Sequence, residues 1–140
     1  MPTSAEQFAV DTSVAVAALD AAHAAHSICR QRVIQTRPAL AGHAAVEIYS
    51  VLTRMPGQLR LDATAASRLI DAGFPDRCWL DGASTDALLR HCGVVGIVGG
   101  AVYDAVVGHA AAVHGRTLLT RDRRAQRTYD LLGVRYELLG

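Results

Sequence analysis

Four acidic residues occupy positions from which their carboxylates could meet at one site. Asp11 and Asp122 each come just after a short apolar run of the type that forms a buried strand. Glu47 and Asp104 lie within stretches whose apolar residues recur at helical spacing, on the apolar face of each predicted helix. Carboxylates that share a site repel one another, and hard divalent cations relieve that repulsion. Such ions activate water and stabilise charge on phosphate substrates, so the pattern predicts metal-assisted phosphate chemistry.

Each acid also has a simpler structural interpretation. An aspartate at a strand-to-helix junction commonly caps the helix, and capping explains Asp11 and Asp122 about as well as a functional role does. An unpaired carboxylate on an apolar face is costly, so Glu47 and Asp104 need a cation or an ion pair. Arg54, on the same predicted helix, is the obvious partner for Glu47.

Polar and basic residues beside the two strand-end aspartates could support the site. Ser13 and Thr120 could orient the metal ligands, although a capping hydroxyl is an equally good explanation of both. Arg121, Arg123 and Arg124 cluster at the start of the last predicted helix, and arginine is well suited to binding phosphate. These three are the candidate contacts for a phosphate group of the substrate, with a solvated helix face as the alternative.

Length and composition favour one domain of residues 1–140 and exclude several classes of protein. No run of about 18 apolar residues and no signal peptide is evident, which argues against a membrane protein. Cys29, Cys78 and Cys92 are odd in number and lack metal-site spacing, so we expect buried free thiols and a cytoplasmic location. The net charge of +1 does not by itself indicate a nucleic-acid binder.

All 14 basic residues are arginine, and the chain contains no lysine. Receiver-like domains and haloacid-phosphatase-like domains also place acids at strand ends, but their sites use an essential lysine. The phosphate-binding P-loop needs a lysine as well. These three classes of phosphate chemistry are therefore excluded.

Short β-type runs alternate with helical patterns, which predicts an α/β fold around a parallel sheet. The predicted strands are Phe8–Val10, Ala39–Ala41, Cys78–Leu80, Thr117–Leu119 and Val134–Leu138. The predicted helices are Ser13–Leu19, Ala21–Thr36, His43–Met55, Asp62–Ala72, Ser84–His91, Gly100–His114 and Arg121–Leu132. We expect His23 and His26 to be exposed on the second helix, and Trp79 to lie in the core.

Four short motifs carry the acids, and a fifth leads into the last strand. They are Val10–Ser13, Ala45–Arg54, Tyr103–Ala105, Leu119–Asp122 and Tyr129–Val134. In this order and at these spacings, the motifs resemble those of the PIN-domain ribonucleases. More narrowly, the chain is similar to the VapC-type toxins of bacterial toxin–antitoxin pairs, and the resemblance covers nearly its whole length.

The resemblance implies a three-layer PIN-like fold with a central parallel sheet of about five strands flanked by helices. It implies an endoribonuclease whose catalytic, metal-binding residues are Asp11, Glu47, Asp104 and Asp122, with Mg²⁺ or Mn²⁺ as cofactor. With RNA as the implied substrate, Arg121, Arg123 and Arg124 are the candidate RNA contacts. It also implies a homodimer and a VapB-like antitoxin that blocks the site, so that the free toxin inhibits translation or growth. Some relatives have a further acid where Arg123 stands, so the number of metal ions stays open.

A catalytically inactive PIN-like module that only binds RNA or protein is the alternative to an enzyme. Such a module would be expected to have lost some of the acids. All four are present here, which favours the enzyme.

Overall fold

The computed structural model describes residues 5–56 and 60–140, and in these the five strands form one parallel sheet. The strands are β1 (Phe8–Val10), β2 (Ala39–Ala41), β3 (Arg77–Cys78), β4 (Thr117–Thr120) and β5 (Tyr136–Leu138). The helices are α1 (Thr12–Leu19), α2 (His26–Thr36), α3 (Gly42–Arg54), α4 (Ala63–Gly73), α5 (Gly82–Val95), α6 (Ala101–Val113) and α7 (Gln126–Leu131). A 3₁₀ turn at Arg123–Ala125 precedes α7.

The order of the strands, β3-β2-β1-β4-β5, creates a crevice between β1 and β4. The chain moves outward from β1 to β3 and then returns to place β4 on the other side of β1. Because crossovers between parallel strands are right-handed, α1 to α4 cover one face of the sheet and α5 to α7 cover the other. The predicted three-layer α/β fold is confirmed. The crevice opens at the carboxyl ends of β1 and β4, which is where such sheets bind their ligands.

Small side chains let the helices pack closely on this sheet. Ala15, Ala44 and Ala111 are completely buried, as are Val10 and Leu119, which are partners in the register of β1 and β4. Helix α3 contacts α6, although the two helices belong to opposite layers. This contact brings the middle of the chain to the crevice.

The predicted second helix, Ala21–Thr36, begins too early, because α2 starts only at His26. The Asp20 carboxylate accepts from the Ala22 N–H, and Nδ1 of His23 accepts from the Ala25 N–H at 3.0 Å. Such local bonds compete with helix formation, so this segment turns instead. His23 is therefore not an exposed helix residue. His26 is half-buried, with its Nδ1 donating to the Ala17 carbonyl.

The prediction that Trp79 lies in the core is also wrong, since its side chain is 52% exposed. Strand β3 ends at Cys78, so Trp79 falls beyond the sheet and its indole lies over Gly42. A Cβ on Gly42 would come within 2.9 Å of Trp79 Cδ2, so glycine is needed for this contact. The other predicted elements differ mainly at their ends; α5, for example, runs on to Val95.

The three cysteines are free and buried, as predicted. No helix within residues 5–56 and 60–140 is long and apolar enough to cross a membrane.

Candidate active site

The four predicted acids line one cavity of about 240 Å³ at the carboxyl edge of the sheet. We call these four residues the acid quartet, and we call the cavity that they line the acid cavity. Asp11 follows β1 and Asp122 follows β4, whereas Glu47 lies in α3 and Asp104 lies in α6. Thr12, Ser13, Val107 and Tyr129 complete its wall. The fold thus brings these acids together at the ends of two strands and at the contact of α3 with α6. The most distant pair in the sequence, Asp11 and Asp122, is separated by 111 positions.

Asp11 is buried and fixed by four hydrogen bonds. Its Oδ1 accepts from the Ser13 hydroxyl at 2.6 Å and from the Val14 N–H at 3.2 Å, which caps α1. Its Oδ2 accepts from the hydroxyls of Thr120 and Tyr129, the latter at 3.2 Å. Burial raises the pKa of Asp11, and these bonds oppose that shift because they favour the carboxylate form.

Ser13 and Thr120 connect Asp11 to the segment that follows β4. Ser13 Oγ accepts from the Arg121 N–H at 2.8 Å, and Thr120 Oγ1 accepts from the Asp122 N–H at 3.1 Å. The same hydroxyls donate to Asp11. Each therefore orients one acid while holding the backbone beside another, so both do more than cap a helix.

Glu47 is half-buried and bound by a hydroxyl rather than by an arginine. Thr12 Oγ1 donates to Glu47 Oε1 at 3.2 Å, which joins the start of α1 to α3. Arg54 is exposed, and no ion pair between it and Glu47 is found in the described ranges 5–56 and 60–140. The ion-pair interpretation of Glu47 is therefore not supported, and one carboxylate oxygen is left without a hydrogen bond there.

The carboxyl of Asp104 shows most clearly that the quartet is crowded. Its pKa is raised from 3.8 to about 6, first by burial and then by the negative charges of the other three acids. The guanidinium of Arg124 opposes this shift only in part. Bringing these four groups together therefore costs free energy as long as no cation shares the cavity.

Asp122 caps the 3₁₀ turn, which agrees with the interpretation of this residue as a helix cap. It also lines the acid cavity. Its Oδ1 accepts from the Arg124 N–H at 2.9 Å, and the Arg124 Nε lies 3.7 Å from the same oxygen. The Arg124 side chain is 96% exposed, and Arg123 is exposed beside it. Both side chains are therefore exposed next to a residue of the cavity wall.

Arg121, the third candidate RNA contact, is oriented differently. A Cβ on Gly140 would lie 3.6 Å from its Nε. Burial raises the pKa of the Cys29 thiol, and the charge of Arg121 opposes that shift. The Arg121 Nε is buried without a hydrogen bond to the part of the chain that the structure describes. Arg121 is half-buried where Arg123 and Arg124 are exposed, and none of the three lines the acid cavity. The predicted RNA contact of Arg121 therefore stays a prediction.

Tyr129 and Thr12 are site residues that the sequence analysis did not single out. Tyr129 is 1% exposed, its hydroxyl donates to Asp11, and burial raises its pKa further above the ordinary value, so it stays a donor. The ring packs against Gly108, where a Cβ would lie 2.8 Å from Tyr129 Cδ1. Thr12 is adjacent to Asp11, and that position was the only signal in the sequence that pointed to it.

The donor set of the acid cavity fits a hard divalent cation. All four charged groups are carboxylates, the oxygen ligands that Mg²⁺ and Mn²⁺ prefer, and their mutual repulsion is visible at Asp104. No three His, Cys, Asp or Glu side chains among residues 5–56 and 60–140 form a ready-made metal cage. Mg²⁺ needs no such cage, because it usually binds one or two carboxylates and keeps several waters.

A larger cavity of about 560 Å³ lies elsewhere, near the residues that precede β2 and β3. Its wall includes Arg30, Arg37, Phe74 and Asp76. It contains one acid and lies toward the amino edge of the sheet, so it does not offer the chemistry of the acid cavity.

The model of the PIN domain family matches residues 8–131, a span that includes all four acids of the quartet. The chain belongs to the PIN domain family. Its sequence is 46% identical to Ribonuclease VapC27 of Mycobacterium tuberculosis over 126 residues, which cover 90% of this chain and 92% of that protein. It is 42% identical to Ribonuclease VapC40 of the same species over 132 residues, 94% of this chain and 98% of the relative.

The fold is also that of a solved toxin–antitoxin structure. DNA-bound VapBC from Salmonella typhimurium matches with a TM-score of 0.68 at 16% identity, covering 95% of this chain and 98% of that one. At this identity the match shows the shared PIN fold alone.

Proposed function

We propose that this chain is a metal-dependent endoribonuclease that hydrolyses RNA phosphodiester bonds, with the acid quartet holding Mg²⁺ or Mn²⁺. The observation that carries the proposal is the meeting of four carboxylates in one cavity, where burial and then the charges of the other three acids raise the pKa of Asp104 to about 6. The two relatives named ribonucleases, at 46 and 42% identity, support RNA as the substrate.

The residues of the quartet would act in different ways. Asp11 is a fixed ligand, since four hydrogen bonds hold both of its oxygens in place. Ser13 and Thr120 keep that carboxylate oriented. Asp104, whose pKa is raised, would be held in its carboxylate form by a cation that offsets the neighbouring negative charges. When bound, the ion supplies positive charge at the phosphate and activates water for attack on phosphorus.

The arginines at the rim would hold the RNA backbone. Arg123 and Arg124 are exposed beside Asp122, and their guanidinium groups offer paired donors to phosphate oxygens. They also offset the negative potential of the acid quartet, which would otherwise repel a polyanion. Binding and cleavage therefore depend on separate sets of side chains.

We further propose that the enzyme is the toxin of a toxin–antitoxin pair, a homodimer whose acid cavity is blocked by a VapB-like antitoxin. The free toxin would inhibit translation or growth by cutting RNA. The solved VapBC assembly with the same fold supports the antitoxin. Ile34, Val94 and Val98 are 62, 82 and 75% exposed, and such apolar side chains support a protein partner.

We infer that residues 1–140 form a single PIN domain, since one PIN-domain model spans residues 8–131. We also infer a cytoplasmic location, where the three free thiols would stay reduced. Light scattering of the purified protein, with and without a co-expressed neighbouring antitoxin gene, tests the assembly. A strictly monomeric protein without an inhibitory partner would contradict it.

Cleavage of an end-labelled single-stranded RNA tests the enzymatic function. We expect internal cuts with Mg²⁺ or Mn²⁺, and none with a chelator in excess. Asp11→Asn and Asp104→Asn should abolish cleavage. The matched control is Asp86→Asn, which removes an exposed carboxylate of α5 far from the cavity wall and should cleave like the wild type.

Two results would contradict the proposal. Cleavage that survives in Asp11→Asn would show that the chemistry lies elsewhere. RNA binding without cleavage at any concentration of either ion would favour the inactive binding module instead.

A further inference from the structure

On the two helices that carry Glu47 and Asp104, His43 and Tyr103 form a stacked aromatic pair. Their ring centroids are 5.4 Å apart and the ring planes are within 14° of parallel. His43 lies in the first turn of α3, one helical turn before Glu47, and Tyr103 of α6 directly precedes Asp104. The pair therefore joins the two helices that supply the central acids of the quartet.

Tyr103 is the exposed member of this pair, and His43 is half-buried. Tyr103 is 57% exposed, whereas Ala105 and Val107, which follow it on α6, are 0 and 3% exposed. Since His43 covers one face of the phenol ring, the exposed area of Tyr103 comes from its other face and its edge. A flat aromatic face is thus open to solvent on the residue that precedes Asp104.

Such a face is suited to a nucleobase of a single-stranded RNA. Proteins bind unpaired bases by stacking them on aromatic side chains, which tolerates many sequences. An uncharged ring also holds the substrate near the carboxylates without adding to their negative charge. The exposed guanidinium group of Arg124 near Asp122 would hold phosphate while the base stacks.

We propose that Tyr103, supported from behind by His43, is a stacking platform for an RNA base adjacent to the cut phosphate. This inference rests on the proposed ribonuclease function and adds a base-binding subsite to it. The platform contributes mainly to binding, because neither ring contacts the four carboxylates. Its loss should therefore raise KM for RNA and leave kcat nearly unchanged.

Fluorescence of RNA with 2-aminopurine at successive positions tests the platform, since stacking quenches this base. All variants are made in an Asp11→Asn background with Mg²⁺ present, so that the RNA stays intact. In the Asp11→Asn parent we expect the fluorescence to be quenched at one RNA position. Adding Tyr103→Phe should keep this quenching, and adding Tyr103→Leu should abolish it. His43→Ala should weaken the quenching, because it removes the ring that supports Tyr103.

Tyr49 provides the matched control. It is a tyrosine of α3 that is 40% exposed and lines a different cavity with Val46 and Trp79. Tyr49→Leu should quench like the parent. In the cleaving protein, Tyr103→Leu should raise KM about tenfold, within the range for the loss of one stacked base, and Tyr49→Leu should not.

The outcomes distinguish a failure of the proposed base-binding subsite from a failure of the proposed ribonuclease function. Undiminished quenching in Tyr103→Leu, or an equal loss in Tyr49→Leu, would overturn the platform even if the wild type cuts RNA. A tenfold fall of kcat at constant KM would also overturn it. Failure of the wild type to cut the RNA would refute the ribonuclease function itself, and the fluorescence result would still decide whether Tyr103 stacks a base.

Discussion

Replacing Asp104 with asparagine should stabilise the metal-free protein at neutral pH, although Asp104 belongs to the proposed active site. The variant keeps the size of the side chain and removes the charge that the other three acids repel. The gain should depend on pH because it arises from ionisation. Active-site residues of this kind trade stability for function.

The size of the gain follows from the pKa of Asp104, which is raised from 3.8 to about 6. A shift of this size corresponds to about 3 kcal/mol at 1.36 kcal/mol per pH unit. Asp104 is only half-buried, and solvent screening reduces the expected gain to about 1 to 1.5 kcal/mol.

The sign of the pH dependence follows from linkage. Well below the ordinary pKa of 3.8 the carboxyl is protonated in both the folded and unfolded protein, so the wild type bears no cost of ionisation. Between about pH 4 and about pH 6 the unfolded chain releases this proton more readily than the folded protein, so stability falls, and the fall is complete above about pH 6. The advantage of Asp104→Asn should therefore be small near pH 4 and complete near pH 8.

Urea unfolding with a chelator present, at about pH 4 and about pH 8, measures the free energy of unfolding of both proteins. Asp86→Asn is the control, since it removes an equal charge from an exposed position on α5. An equal gain at both pH values, or a loss of stability at pH 8, would refute the electrostatic explanation.

Three further predictions concern the same site. Mg²⁺ or Mn²⁺ should raise the melting temperature of the wild type more than that of Asp104→Asn, as calorimetry with and without chelator can show. Tyr129→Phe removes a hydrogen bond to Asp11 and should lower the free energy of unfolding by about 1 kcal/mol and slow cleavage, while the ring keeps its packing. Replacing Arg123 and Arg124 together with alanine should weaken RNA binding and reduce its log–log salt slope by about 1.4, measured by fluorescence anisotropy. An arginine variant that binds like the wild type at every salt concentration would show that RNA is held elsewhere.

The bounds of β1 and β2 could be predicted from the sequence because each strand has a limit that is marked chemically. Pro38 precedes β2 and Asp11 follows β1, and both strands have the predicted bounds. The start of α2 could not be predicted from periodicity, because the alanines before His26 continue the helical pattern. In the structure the side chains of Asp20 and His23 accept hydrogen bonds from nearby backbone N–H groups, and the chain turns there instead of forming a helix. Trp79 was misplaced because β3 ends one residue before it.

The acids of the site could be predicted because each occupies a position that is informative by itself, a strand end or an apolar helix face. Tyr129 could not, because its role depends on a hydrogen bond to Asp11 across 118 residues. The direction of the Arg121 side chain depends likewise on Gly140 at the end of the chain. Contacts of this range are formed by the tertiary structure, and spacing along the sequence does not reveal them.

The central claim is that the acid quartet holds the ion with which RNA is cut, and anomalous diffraction from crystals grown with Mn²⁺ tests it most directly. We predict a Mn²⁺ peak in the acid cavity, within about 2.0–2.3 Å of a carboxylate oxygen of Asp11 or Asp104, and no such peak in Asp11→Asn crystals. A well-occupied Mn²⁺ site at other residues, with the acid cavity empty at a Mn²⁺ concentration that supports RNA cleavage, would contradict the account.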